Sequence, residues 1–145
     1  MENNKMGKDK LKNHLPMSAK TGDFRQQVLA IIHKAKYEHN MKLPMVKYRL
    51  SADESWHQAM GVGGRSKGKA EIRINEKYFD TDRFLLVVLH ELAHACWGQE
   101  HTEGCPLMSP TYLGNITDEK AWELFDMYYK HHNMALFFNI KQGTV

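Results

Sequence analysis

The sequence predicts an α+β fold: a small twisted sheet packed on an N-terminal helix and a central helix, with a C-terminal helix. Two observations lead there. Apolar residues recur at helical spacing in three separated stretches, and between the first two the pattern switches to period two. The middle helical stretch, "DTDRFLLVVLHELAHACW", is apolar nearly all round, which marks a helix buried in the core. The 145 residues suit one domain, and a chain of that size buries roughly 70% of its unfolded surface.

Residues 1–20 are rich in Lys and Asn and lack periodic apolar positions, so they read as a disordered tail, with 21–145 as the folded domain. The first helix is expected in "TGDFRQQVLAIIHKAKYEHN", where Phe24, Val28, Ile31, Ile32 and Ala35 share a face. Thr21 or Asp23 can cap its start, and Asn40 and Pro44 end it. From Met45 to Ala52, Val46, Tyr48 and Leu50 alternate with polar residues and predict a strand. "GVGGRSKGK" reads as a hairpin or flexible loop. It lacks the G-x-x-x-x-G-K-[ST] pattern of a phosphate loop. In "KAEIRINEKYF", Ala70, Ile72 and Ile74 alternate with Glu71, Arg73 and Asn75, a half-exposed strand whose edge an extended substrate backbone would pair with.

Asp80 or Thr81 is expected to cap the central helix, with Asp82 in its first turn and Gly98 placed to stop it. A loop follows to Asn115. Thr117 can cap a last helix, with Asp118 and Glu119 in its first turn and Trp122, Phe125 and Tyr129 on its apolar face. The segment "MALFFNI" has no assigned place.

Composition narrows the function classes. A formal net charge of +3 makes no electrostatic case for nucleic acid as a main partner. Lys5, Lys8, Lys10, Lys12 and Lys20 leave the basic tail as a possible contact to it, though none is expected. The N-terminus has no apolar signal core and no stretch approaches a membrane span, so a cytoplasmic protein without a membrane partner is expected. Cys96 and Cys105 are read as two reduced thiols. Nine histidines raise the case for metal chemistry.

That chemistry centres on His90, Glu91 and His94, in the order H-E-x-x-H. Residues four apart on an α-helix project from one face, so His90 and His94 can hold one cation at two corners of a tetrahedron, which suits Zn²⁺. Glu91 lies about 100° round the axis, off the ligand positions but near the open side of the ion. There it can act as general base toward a zinc-bound water and return the proton to a leaving amine. Zinc lowers the pKa of such a water to about 7. The competing picture is a pair of hydrogen-bonded core histidines with Glu91 reaching solvent.

The stretch from His90 to Tyr112 resembles the zincin metallopeptidases, and among them the metzincins, which read HExxHxxGxxH followed by a Met-turn. Gly98 and His101 stand for the "GxxH", and Met108 for the Met-turn, with "MSPTY" similar to matrixin-type members. The resemblance implies one catalytic zinc on His90, His94 and His101, with Glu91 as base and Met108 as an apolar floor. It implies hydrolysis of peptide bonds in a protein or peptide substrate. Upstream, "LPMVKYRLS", "EIRIN" and "VVLHELAHA" look like SprT-type zinc peptidases, which implies the alternative of a DNA-associated protease. A non-catalytic zinc-stabilised binding module and a hydrolase of non-peptide amides are further alternatives.

The chain departs from the metzincin pattern at one point. Ala95, Cys96 and Trp97 put Gly98 four residues after His94 instead of three. One extra helical residue turns the exit by about 100° and lifts it by about 1.5 Å. Glu119 and Glu123 therefore compete with His101 as third ligand, since a carboxylate from a second helix completes other zinc sites. Glu103 and Cys105 are weaker candidates. Tyr112 is a candidate donor to the reacting carbonyl, against the plainer role of a packed loop tyrosine.

Overall fold

The computed structural model describes residues 17–51, 61–66, 69–79, 81–110 and 116–141. Among these residues the elements run α1 (Met17–Tyr37), β1 (Val46–Ser51), β2 (Gly61–Ser66), β3 (Lys69–Asn75), a short 3-10 helix (Glu76–Tyr78), α2 (Phe84–Trp97) and α3 (Asp118–Lys141). The class is α+β, as expected. Most of the expected basic tail, and Tyr112, lie outside the described residues. Among the described residues, no helix is long and apolar enough to cross a membrane.

α1 begins four residues before the expected boundary and runs straight through Thr21 and Asp23, so neither caps it. Pro16, directly before it in sequence, is a start signal of a kind that apolar periodicity does not register. The buried face is the expected one: Phe24, Val28 and Ala35 are fully buried and Ile32 nearly so. The helix ends at Tyr37, and Asn40 turns the chain with a left-handed φ of 54°.

The three strands form one sheet in the order β1-β3-β2, with β1 parallel and β2 antiparallel to β3. Two expectations change here. The glycine-rich stretch is not all turn: Gly61–Ser66 is a strand, and the hairpin bends between it and β3. β3 is not an edge but the central strand, paired on both sides, so it has no edge left for a substrate. Register puts Val46, Tyr48 and Leu50 of β1 beside Ala70, Ile72 and Ile74 of β3. This shared face packs into the core, while the other carries Arg49 and Glu71, 3.7 Å apart.

α2 packs on β2 and β3, α1 on β1, and α3 along α2. Phe24 locks the assembly, with edge-to-face contacts at 5.9–6.3 Å to Tyr48, Phe79 and Phe84. Twelve of the fourteen residues of α2 are buried, so tertiary packing and not propensity holds this helix. Full burial of residues such as Leu89 and Leu92 contributes about 1.5–3 kcal/mol each. Of the expected caps, Asp80 lies outside the described residues, and Thr81 does not occupy the N-cap. Arg83 stands at the N-cap position and its side chain makes no capping bond to the helix, and no acid lies in the first turn. The Thr81 hydroxyl instead donates to the Tyr78 carbonyl and accepts from the Arg83 N–H, bracing the turn before the helix.

At α3 the expected cap holds: Thr117 Oγ1 accepts from the Lys120 N–H at 3.0 Å. Trp122 and Phe125 are buried, as is Tyr128, while Tyr129 is half-buried with its hydroxyl accepting from the Lys42 N–H. The unplaced "MALFFNI" continues α3.

Candidate metal centre

Helical stacking does at α2 what the spacing implies. The rings of His90 and His94 lie 4.6 Å apart between centroids, and their Nε2 atoms are 3.1 Å apart. The other nitrogen of each ring meets a backbone carbonyl: His90 Nδ1 donates to Leu107 O at 2.6 Å, and His94 Nδ1 donates to Gln99 O. A carbonyl only accepts, so the proton of each neutral ring sits on Nδ1 and the lone pair on Nε2. Two lone pairs thus converge on one point. Nitrogens held 2.0–2.1 Å from a tetrahedral zinc lie roughly 3.3 Å apart, so the spacing fits a shared ion. The carbonyl partners are also the kind that orient metal-binding histidines.

Both rings are held neutral. Burial lowers the pKa of His90 to about 4, against the opposing hydrogen bond to Leu107, with the charges of His94 and His101 lowering it further. His94 is lowered too, mainly by burial. Neutral imidazole is the form that binds a metal.

His101 completes the set. Its ring lies 5.3 Å from that of His90 and 4.8 Å from that of His94, and one ligand atom from each of the three histidines falls within 4.8 Å of the others. Exposure grades from buried His90 through His94 to exposed His101, so the cluster opens to solvent on one side. The extra residue before Gly98 is absorbed at the helix end. α2 runs on to Trp97, and Gly98 takes a left-handed conformation with φ 65°. Its N–H bonds back to the Ala93 and His94 carbonyls, and the Gln99 N–H also reaches Ala93 O. That reversal points Gln99 O at His94 and sends the chain back over the helix face to His101.

Glu91 is 2% exposed, which removes the picture of a carboxylate reaching solvent. Its Oε2 lies 3.9 Å from His90 Nε2, on the side where the three nitrogens converge. Met108 is fully buried and directly follows, in sequence, the residue whose carbonyl orients His90. Its own carbonyl accepts from the Thr102 N–H at 2.8 Å.

The rival ligands stand elsewhere. Glu119 and Glu123 line a separate cleft of about 970 Å³, shared with Gln27, Ile31 and Lys34 of α1 near the start of α2. Glu123 is exposed and pairs with Lys120 at 3.4 Å. Glu103 is exposed, and neither it nor Cys105 joins the histidine cluster. Cys96 is buried and Cys105 half-buried, and no disulfide joins them.

One residue near the site escapes the sequence reading. Tyr128 of α3 is buried near Cys105 and Thr102 of the loop that carries His101. Burial first, then the Cys105 contact, holds the phenol above its ordinary pKa. Its spacing of three from Phe125 is the signal that could have placed it on the inner face of α3.

Comparison with protein-family models, with curated proteins and with solved structures finds no match to this chain. The three histidines themselves define a site able to hold a metal ion.

Proposed function

We propose that this chain is a zinc-dependent metallopeptidase of zincin-like, metzincin-type organisation. One observation carries the reading. Three histidines come together beside a buried glutamate, with the Nε2 atoms of His90 and His94 3.1 Å apart. A site with three nitrogen ligands and an open fourth position is the catalytic arrangement for zinc, whereas structural zinc sites are closed by four protein ligands. Bound there, zinc supplies a Lewis acid that activates water and polarises a carbonyl.

The protein supplies the rest. Glu91, buried next to His90, takes the proton from the attacking water and delivers it to the leaving amine. His90 and His94 keep their lone pairs aimed because Leu107 O and Gln99 O hold the opposite nitrogens. The exposed His101 side is the approach for substrate. β2 is the sheet edge that packs against α2, and an extended peptide can pair with such an edge. The order of helix, strands and motif-bearing helix also agrees with the SprT-type resemblance upstream.

The test combines metal analysis with digestion of an unfolded protein substrate, on wild type and Glu91→Gln. One zinc per chain is expected in both, with hydrolysis reduced by at least about 10²-fold in the variant. Undiminished hydrolysis by Glu91→Gln, or a wild type that takes up no zinc, would overturn the reading.

A further inference from the structure

Where the metzincin spacing sets glycine, three residues after the second histidine, this chain has Trp97, and glycine follows one place later at Gly98. Trp97 is the last residue of α2 and only 9% exposed. Three rings of α3 pack against its indole. The centroids lie 4.7 Å away at Phe125, 5.5 Å at Tyr129 and 6.3 Å, in stacked orientation, at His132. Tyr129 is tied in turn to the chain beyond α1, since its hydroxyl accepts from the Lys42 N–H at 3.0 Å. Helix ends fray, because the last carbonyls have no partners within the helix, and the described residues between Trp97 and α3 form no helix or strand. Yet this end of α2 has a task in the site. The Gly98 N–H bonds to His94 O at 3.0 Å and the Gln99 N–H to Ala93 O at 3.2 Å, and Gln99 O then accepts from His94 Nδ1. His90 takes its acceptor from Leu107, outside this turn.

We propose that Trp97 is a positioning residue for the metal centre: it locks the last turn of α2 against α3 and so keeps Gln99 O on His94 Nδ1. Trp97 offers the ion no ligand atom; it acts through the Gln99 carbonyl. Without that acceptor the neutral ring of His94 can carry its proton on Nε2, the nitrogen that faces His90, and an Nε2–H offers an ion no lone pair. The effect is confined to His94, because Leu107 O holds the proton of His90 in place. The proposal rests on the zinc reading above, and it gives α3 a part in the site different from the carboxylate ligand its glutamates suggested.

The experiment uses the full chain with Trp97→Leu, which keeps an apolar side chain in the core, and Tyr129→Leu, which removes one ring from the other side of the contact. Tyr129 is half-buried, so the second variant decides alone if the first does not fold. The tautomers of His90 and His94 are read from imidazole nitrogen NMR on the metal-free protein at a pH where burial keeps both rings neutral. Zinc affinity is measured by competition with a chelator. Wild type is expected to show Nδ1–H at both histidines. In the variants His94 alone should become a mixture of the two tautomers, and zinc affinity should fall about 10-fold, the low end for residues that orient ligands. A His94 that stays purely Nδ1–H in the folded variants overturns the proposal. So does an equal change at His90, which would mark a general loosening of the core, or a shifted His94 tautomer with unchanged zinc affinity. A wild type that binds no zinc defeats the zinc reading, and the tautomer of His94 then decides the role of Trp97 by itself.

Discussion

His90 Nδ1 and Leu107 O lie 2.6 Å apart across seventeen residues of chain. This bond joins the motif-bearing helix to the turn containing Met108 and sets which nitrogen of His90 faces the cluster. The motif-bearing helix, the His101 loop and the turn at Met108 are therefore tied together. Disturbance at any of the three should reach the metal.

The third ligand is the first place to look. His101→Ala is expected to lower zinc affinity by at least 10²-fold while leaving the fold intact, since His101 is exposed and contributes little packing. Glu119→Ala and Glu123→Ala should bind zinc as wild type does, because both side chains line the other cleft. Equilibrium dialysis against a zinc buffer separates these outcomes. A full equivalent of tightly held zinc in His101→Ala would show that the ligand set is wrong.

Stability of the metal-free protein should depend on pH through His90. Burial holds its folded pKa at about 4, against 6.5 unfolded. Between those values the unfolded chain binds more protons, so stability falls as pH drops below about 6.5, levels off below about 4, and is unaffected above 7. The complete difference is about 3 kcal/mol, and His94, shifted the same way, adds to it. Urea unfolding from pH 7.5 to 4.5, compared with His90→Gln, isolates the contribution. Parallel pH profiles for the two proteins would contradict it.

Gly98→Ala tests the helix exit. A Cβ at this position meets no atom within 4 Å, so the cost is one of backbone alone. At φ 65° a non-glycine residue costs about 1 kcal/mol. A small loss of stability should accompany a larger loss of zinc affinity, as the turn that aims Gln99 O and His101 relaxes. Gly98→Asn should lie closer to wild type, since Asn tolerates the left-handed region. Calorimetric unfolding with and without zinc measures both terms.

Phe24→Ala probes how the fold supports the site. Phe24 is fully buried against rings from β1, the turn after β3, and the start of α2. Truncation should cost about 3–5 kcal/mol. Saturating zinc should recover part of that by binding only the native state. A melting temperature equal to wild type without metal would show that this cluster does not hold α2 in place.

The sequence by itself determined α1, β1, β3, α2 and α3, and the face on which His90 and His94 stand. Those features depend on helical or strand period, and period is local to a short window of chain. It did not reveal β2. Gly61, Gly63 and Gly64 leave too few side chains to alternate, and that strand exists because the β3 backbone pairs with it. Nor did it place β3 at the centre of the sheet, since alternation along one strand says nothing of its neighbours. It left His101, Glu119 and Glu123 as competing ligands because each is a chemically suitable donor within thirty residues of His94. Only the tertiary structure brought His101, and neither glutamate, beside the two helical histidines. Gly98 reverses the chain over the helix face, α3 carries its glutamates to a separate cleft, and Leu107 O and Gln99 O orient the two helical histidines. Ligand choice is a matter of direction in space, and direction is set by packing and backbone hydrogen bonds between segments far apart in the chain.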